Sequence, residues 1–244
     1  EQLTDVCGDN TVPITYMNSA ADLKAFCGEN EGAVCTSSNS SAIMDWAFNK
    51  KEKLLFFPDE HLGRNTGVAH GINLEDMILW KPNEEMGGNS EEEVEKAKLI
   101  LWQGNCPIHQ LFTPKQINRL RQDVPGIQIL VHPECRYEVV QMADLSGSTA
   151  YIIKVIEEAP AGSKWGIGTE MHLVNRLADQ HPDKWITSID PNMCLCTTMN
   201  RVDAPHLLWT LENLLDDEVI NHITVEPDIS YWAKVALDRM LQIV

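Results

Sequence analysis

The stretch Ile127-Gln128-Ile129-Leu130-Val131-His132-Pro133-Glu134 decides the fold class of this 244-residue chain. A short apolar run rich in branched side chains, followed by a proline turn, is typical of a buried parallel strand. Leu54-Leu55-Phe56-Phe57 repeats the pattern and runs into Pro58-Asp59. Helical patterns lie between such runs. The alternation predicts an α/β fold with short parallel sheets.

Two of the intervening helices carry specific signals. Thr113-Pro114-Lys115-Gln116 is a capping box with proline at the first helical position, and Ile117 and Leu120 share a face of the helix that follows. Near the end of the chain, Asp228 is a candidate cap. The apolar stripe predicted for that last helix has a 3.6-residue period and consists of Ile229, Trp232, Ala233, Ala236, Leu237, Met240 and Leu241.

One design of strands, helices and a terminal cysteine occurs twice. The first copy opens at Ile14-Thr15-Tyr16-Met17-Asn18 and closes on Cys106, and the second opens at Ile129 and closes on Cys196. We therefore predict one αβα domain over residues 1–110 and a second over 111–244 with a C-terminal helix. Residues 65–98 form a polar insertion in the first copy, and its acidic run at residues 91–95 is expected to be a solvated helix face.

Composition excludes several classes of function. The formal net charge of -17 argues against nucleic-acid and anionic-membrane partners, which need basic surface. The sequence has no apolar run long enough to span a membrane and no secretory signal pattern. Seven cysteines, an odd number, do not indicate a disulfide framework. A reducing, cytoplasmic location is expected.

Polar motifs follow the predicted strands, at the edge where parallel sheets bind ligands. Thr36-Ser37-Ser38-Asn39 and Ser146-Gly147-Ser148-Thr149 each connect a short strand to a helix. Free N–H groups at a helix start, together with hydroxyls, favour an anion site. Plain N-capping explains either motif equally well, and the residues alone do not decide between the two.

His132 and Glu134 are the strongest candidates for acid–base chemistry. A histidine and a carboxylate two residues apart at a strand end can both face a cleft, and the pair suits proton transfer near neutral pH. A surface turn ended by proline is the alternative. Tyr16 and Asn18 occupy the equivalent point of the first copy.

Cys106 and Cys196 are candidate metal ligands because they recur at the same landmark. Thiolates bind iron–sulfur clusters or zinc, but the usual ferredoxin and zinc-finger spacings are absent. Cys194 is a rival to Cys196, since spacing alone cannot separate two cysteines two residues apart.

Taken together, these motifs resemble quinolinate synthase, the iron–sulfur enzyme family of bacterial and plastid NAD biosynthesis. The resemblance covers essentially the whole chain, in order. The matching segments are 16–19 (Tyr-Met-Asn-Ser), 35–39 (Cys-Thr-Ser-Ser-Asn), 58–64 (Pro-Asp-Glu-His-Leu-Gly-Arg), 102–106 (Trp-Gln-Gly-Asn-Cys), 132–135 (His-Pro-Glu-Cys), 147–149 (Gly-Ser-Thr), 168–170 (Gly-Thr-Glu) and 196–199 (Cys-Thr-Thr-Met).

The resemblance implies three pseudo-symmetric three-layer αβα domains around a central [4Fe-4S] cluster, each domain supplying one cysteine. Cys106 matches the second ligand and Cys196 the third. The first ligand is expected in an N-terminal domain that this chain mostly lacks, so the two copies correspond to the family's second and third domains.

The family's reaction condenses iminoaspartate with dihydroxyacetone phosphate, as a transferase, to give quinolinate. The matching substrate-binding residues are Tyr16, Asn18, Ser37, His132, Glu134 and Thr149. Among them, Tyr16, His132 and Glu134 are the candidate catalytic groups, with Glu134 as general base. An aspartate-oxidising enzyme is the expected upstream partner. The alternatives are an inactive two-domain fragment without a cluster, and a zinc-binding or anion-binding α/β protein.

Overall fold

The computed structural model describes residues 10–190 and 195–243, which contain two sheets, all of whose strands are parallel. The first sheet has the order β2-β1-β3-β5-β4 and the second β7-β6-β8-β9. The strands are β1 (Thr11–Tyr16), β2 (Ala33–Cys35), β3 (Lys53–Phe57), β4 (Met77–Trp80), β5 (Leu99–Trp102), β6 (Gln128–Val131), β7 (Leu145–Ser146), β8 (Lys164–Gly168) and β9 (Trp185–Ser188). The predicted α/β class with short parallel sheets is confirmed.

Helices connect the strands, as parallel pairing requires. They are α1 (Ala21–Glu29), α2 (Ser40–Phe48), α3 (Glu60–Ala69), α4 (Glu91–Lys96), α5 (Pro114–Asp123), α6 (Tyr137–Met142), α7 (Thr149–Glu158), α8 (Met171–Gln180), α9 (Ala204–Leu215) and α10 (Pro227–Ile243). The capping box predicted before α5 is present, because Gln116 Oε1 accepts a hydrogen bond from the Thr113 backbone N–H at 2.7 Å and Thr113 accepts one in return. Ile117 is fully buried beneath it.

The two sheets share one strand order once β4 is set aside. β2-β1-β3-β5 in the first sheet corresponds to β7-β6-β8-β9 in the second. In both, the chain starts at an inner strand, moves one place to one side and then continues across to the other side. Equivalent strands therefore deliver their following loops to equivalent places on the carboxyl edge.

The predicted insertion contributes more than polar surface. It supplies β4, which pairs along the outer edge of β5 and buries Trp80. Helix α4 exposes its glutamates and buries Val94, as expected of a solvated acidic face. Residues 65–69 belong to α3, where Asn65 and Thr66 are buried.

The last helix, α10, packs against α1 and β2 of the first sheet, although it comes from the far end of the chain. Ala233, Ala236 and Met240 are buried there. Two details of the predicted helix are wrong. Asp228 lies inside the first turn because the helix begins at Pro227, and Leu241 is exposed because it falls outside the stripe that contacts α1.

Helix α9 differs from α10 because it has no buried residue. Its exposed large apolar side chains are Leu207, Leu208, Trp209, Leu211, Leu214 and Leu215. Among the residues that the structure describes, no helix has the length and apolar character needed to cross a membrane.

Candidate functional site

A buried polar cluster lies where the carboxyl ends of the two sheets meet. Tyr16 ends β1, and Asp59 follows β3. Glu134 follows β6 in the second sheet, and Thr169 follows β8. All four residues are less than one-tenth exposed. Parallel α/β sheets bind their ligands at this edge because the loops and helix starts converge there.

Asp59 joins two loops of the first sheet. Its Oδ1 accepts a hydrogen bond from the Leu62 backbone N–H at 2.7 Å and so caps α3. Its Oδ2 accepts one from the Cys106 backbone N–H at 2.9 Å. Gly104 lies beside these residues, and a Cβ there would be 2.3 Å from Pro58 O, so only glycine permits this approach. The position of Cys106 is thereby fixed from the opposite loop.

Glu134 lies between two histidines. Its Oε2 is 3.2 Å from His109 Nδ1 and 3.1 Å from His132 Nδ1. The two imidazole rings stack with centroids 4.7 Å apart. His109 Nε2 lies 3.3 Å from Thr169 Oγ1. These contacts hold the carboxylate of the predicted His-Pro-Glu motif inside the cluster rather than on a surface turn.

The electrostatics favour a charged pair between His109 and Glu134. Burial opposes ionisation of Glu134, yet contacts with His109 and His132 lower its pKa to about 2. Burial likewise favours a neutral His109 ring, but contacts with Cys106 and Glu134 raise the His109 pKa to about 9. Burial lowers the pKa of His132, which is neutral in this arrangement.

The charge of Glu134 also raises the pKa of two residues that follow or end strands of the first sheet, Asp59 and Tyr16. Burial, reinforced by the Glu134 charge, raises the pKa of Asp59 to about 7. Burial and the Glu134 charge also raise the pKa of the Tyr16 hydroxyl, while a hydrogen bond with the Ser37 side chain opposes that rise. Tyr16, Ser37 and Glu134 therefore belong to one site, although they come from different sheets.

Asn65 fixes the second-sheet loop to the first sheet. From α3, its Nδ2 donates hydrogen bonds to the backbone oxygens of Pro133 and Cys135, both at 2.8 Å. These two bonds flank Glu134 and set where its side chain enters the cluster.

Other predicted site residues lie at the rim or elsewhere. Asn18 and Thr149 are exposed, the first just beyond β1 and the second at the start of α7. Ser148 caps α7 by accepting a hydrogen bond from the Tyr151 backbone N–H, as the capping alternative predicts. In the first-sheet motif, Asn39 Oδ1 accepts hydrogen bonds from the backbone N–H and the hydroxyl of Thr36.

The two recurrent cysteines are free thiols that are partly exposed. Both pack against the apolar core of the second sheet. Cys106 follows β5 by four residues, whereas Cys196 comes eight residues after β9 and does not end a strand. Neither cysteine therefore ends a strand. The rival of Cys196, Cys194, lies outside the described residues.

Sequence reasoning missed three residues of the cluster, Asp59, His109 and Thr169. Asp59 and Thr169 lie in segments that match the family but carry no expected role, although a polar side chain just after a buried strand is a signal for the carboxyl edge. His109 follows Cys106 by three residues in a short 3₁₀ turn. A histidine three residues after a candidate metal-binding cysteine was the available sequence signal for a further ligand. Cys106, His109 and Glu134 each offer a donor atom, and these atoms all lie within 4.8 Å of one another, so the three residues could hold a metal ion.

Fold and site together define a parallel α/β protein with a polar, potentially metal-binding centre between two sheets of the same strand order. The family model of NadA, the quinolinate synthetase A protein, matches residues 1–80 and 66–242. The chain belongs to this family.

Curated relatives agree with this assignment. Quinolinate synthase of Rhodopirellula baltica is 51% identical over 96% of this chain and 60% of its own length. The Nocardioides sp. relative is 52% identical over 96% and 61%, and that of Bacillus mycoides is 53% identical over 99% and 66%. The chain thus spans 60% to 66% of the length of these three relatives.

Proposed function

We propose that this chain forms part of a cytoplasmic quinolinate synthase of NAD biosynthesis. In this reaction iminoaspartate and dihydroxyacetone phosphate condense to quinolinate, and an aspartate-oxidising enzyme supplies the iminoaspartate. The observation that carries the proposal is the buried Tyr16–Glu134–His132 cluster at the carboxyl edge of a chain that belongs to the quinolinate synthetase A family.

The substrates are anionic, and the site offers them donors at its rim. Ser37 precedes α2, and Thr149 opens α7, so each lies beside free backbone N–H groups at a helix start. Asn18 is exposed beyond β1 and can donate from its amide. We assign carboxylate and phosphate binding to these three residues together with the Tyr16 hydroxyl.

Proton transfer falls to Glu134 and His132. Glu134 is ionised and buried, so it can accept a proton from a substrate carbon or nitrogen that lies against it. His132 Nδ1 is 3.1 Å from Glu134 Oε2, close enough to receive that proton in turn. The neutral state of His132 suits this role because a protonated ring could not accept.

Cys106 and Cys196 fit as two protein ligands of a [4Fe-4S] cluster. Both are free, partly exposed thiols against the same apolar core, and thiolates are the ligands that such clusters use. When bound, an iron without a protein ligand supplies Lewis-acid polarisation of a substrate oxygen or nitrogen. The chain's own contribution is to hold Cys106 in place through Asp59.

A chimaera tests the proposal in a protein of the relatives' full length, of which this chain spans only a part. In it, this chain replaces the matching segment of the Bacillus mycoides relative. We expect anaerobic iron and sulfide content typical of one cluster, and quinolinate formation from the two substrates. Cys106→Ser and Cys196→Ser should abolish both. Cys194→Ser and Cys135→Ala are the matched controls and should retain the cluster.

A normal cluster in either Cys106→Ser or Cys196→Ser would refute the ligand assignment, and loss in Cys194→Ser would transfer it to the rival cysteine. A chimaera with a full cluster but no turnover would refute the function. The isolated 244-residue chain is measured in parallel, and absence of a cluster there, beside an active chimaera, supports the fragment alternative for the chain alone.

A further inference from the structure

Three different metal-binding side chains converge at one point of the cluster. A donor atom from each of Cys106, His109 and Glu134 lies within 4.8 Å of the other two. The side chains of His109 and Glu134 are only 8% and 9% exposed, whereas Cys106 is partly exposed. The point is therefore buried on two sides and accessible from the side of the thiol.

The His109 ring is oriented as a metal ligand would be. Its Nε2 lies 3.3 Å from Thr169 Oγ1. Its Nδ1 is buried and has no hydrogen-bond partner of acceptable geometry, although Glu134 Oε2 is 3.2 Å away. A histidine with one ring nitrogen held by an outer partner and the other directed at further donors is the usual arrangement around a bound metal.

A buried ion pair between His109 and Glu134 is the simpler explanation of these contacts. It accounts for the 3.2 Å approach and for the contact of the ring with the Cys106 thiol, but not for the lack of a well-formed hydrogen bond at the buried Nδ1 among the described residues. A metal ion would satisfy all three donors at once.

We propose that Cys106, His109 and Glu134 form a binding site for a single zinc-class divalent ion. A thiolate, an imidazole and a carboxylate together match the borderline-soft character of zinc. Zinc–ligand bonds of about 2.0–2.3 Å place neighbouring donors roughly 3.3–3.8 Å apart in a tetrahedral site. The three donor atoms lie within 4.8 Å of one another, so they need to move only modestly closer together to bind the ion. Three protein ligands leave a fourth position for water or a small ligand.

The site has a consequence that rests on the proposed function. Cys106 is also the proposed cluster ligand, and one thiolate is shared between the two. Zinc at this site and the iron–sulfur cluster therefore exclude each other. Cys196 takes part only in the cluster, since it does not belong to the three-donor group.

Metal titration of the metal-free, reduced 244-residue chain tests the site. Under anaerobic conditions Co²⁺ serves as the optical probe, followed by displacement with Zn²⁺. We expect one ion per chain, with a thiolate-to-cobalt charge-transfer band that Cys106→Ser removes. His109→Ala and Glu134→Gln should each weaken Zn²⁺ binding at least tenfold. Cys196→Ser is the matched control, a second partly exposed thiol, and should bind as the unsubstituted chain does.

Folding of each variant is checked by circular dichroism, and His109→Gln replaces His109→Ala if the latter does not fold. Unchanged affinity in both the His109 and Glu134 variants would overturn the site, as would loss of binding in Cys196→Ser. Failure of the unsubstituted chain to bind Co²⁺ or Zn²⁺ would also overturn it.

A second measurement separates this inference from the proposed function. The chimaera is reconstituted with iron and sulfide with and without one equivalent of Zn²⁺ bound beforehand. Lower cluster content in the zinc-loaded sample supports exclusion, and full cluster content with zinc retained refutes it. If the zinc-free sample also assembles no cluster, the proposed function fails, while the titration still decides the zinc site.

Discussion

The two sheets have one strand order in common, yet equivalent places on their carboxyl edges carry different chemistry. After β3, Asp59 reaches across to the Cys106 loop. After β8, among the described residues, Glu170 accepts hydrogen bonds only from its own neighbour His172. After the last shared strand, Cys106 lies among buried polar donors, whereas Cys196 follows a longer connection. A repeated fold therefore provides equivalent positions, and individual side chains decide what each position does.

The sheets also differ in how they are covered. Helix α10 seals the first sheet through a close approach to α1. Helix α9, by contrast, leaves its apolar residues exposed. The first sheet is thus built from both ends of the described chain, and its integrity depends on contacts between residues more than 200 positions apart.

The largest expected effect is at Gly28, where α1 meets α10. An added Cβ would lie 1.9 Å from the backbone oxygen of Trp232, so Gly28→Ala must force the helices apart. We expect the free energy of unfolding, measured by urea denaturation, to fall by about 3 kcal/mol. Gly126→Ala is the control, with φ of +80° but open space, and should cost about 1 kcal/mol. Equal losses would mean that α10 does not seal the first sheet.

The next effect compares the two carboxylates that follow β3 and β8. Asp59→Ala removes a helix cap and leaves the Cys106 backbone N–H without its acceptor, so we expect a loss of about 2–3 kcal/mol. Glu170→Ala removes the cap of α8 and a local contact with the His172 ring, and should cost about 1 kcal/mol. Thermal and urea unfolding measure both. A Glu170 variant as unstable as the Asp59 variant would contradict the bridging role.

A smaller effect is expected at Arg239 on α10. Its Nη1 donates hydrogen bonds to the backbone oxygens of Gly28 at 3.0 Å and Gly32 at 2.8 Å. Arg239→Ala should lower the free energy of unfolding by about 2 kcal/mol, because these are charge-assisted bonds. Lys234→Ala removes only an exposed pair with Asp238 and should change it by less than about 0.5 kcal/mol. A larger loss of unfolding free energy in Lys234→Ala than in Arg239→Ala would show that α10 is held by its apolar face alone.

The effect that is smallest near neutral pH, where the ring is largely uncharged in both the folded and the unfolded chain, is a pH dependence at His61 on α3. Burial, with the cationic Arg64 and Arg136 nearby, lowers the pKa of His61 to about 4. The unfolded chain, with a His pKa of about 6.5, binds more protons in this window. Stability therefore falls as pH falls from about 6.5 to about 4. Unfolding measured at both ends of the window should show a smaller decline in His61→Gln, and NMR titration should show the His61 pKa rising in Arg64→Gln. If the free energy of unfolding falls with pH as much in His61→Gln as in the unsubstituted chain, His61 is not the cause of the pH dependence.

Local patterns in the sequence predicted much of the fold. The apolar run at 127–131 became β6, the capping box at 113–116 starts α5, and the acidic run at 91–95 is the exposed face of α4. These features depend on side-chain periodicity and on hydrogen bonds between residues a few positions apart. Such interactions are present in the sequence itself and need no knowledge of the rest of the chain.

Features that depend on distant residues could not be predicted in this way. The packing of α10 on α1 and the hydrogen bond between Asp59 and Cys106 each join segments that are far apart in sequence. The exposure of Leu241 also depends on where α10 meets α1. Periodicity defines an apolar face but not the partner that covers it.

The sequence by itself determined the α/β class, the twice-used design of strands and helices along the chain, and the family motifs, since short-range patterns specify strands, helices and their polar ends. Only the tertiary structure decided that His109 joins Cys106 and Glu134, that Asn65 fixes the Glu134 loop and that the Glu134 charge raises the pKa of the Tyr16 hydroxyl on the other sheet. The physical reason is that burial and charge act through space, so the chemistry of a side chain depends on neighbours that its position in the sequence does not reveal.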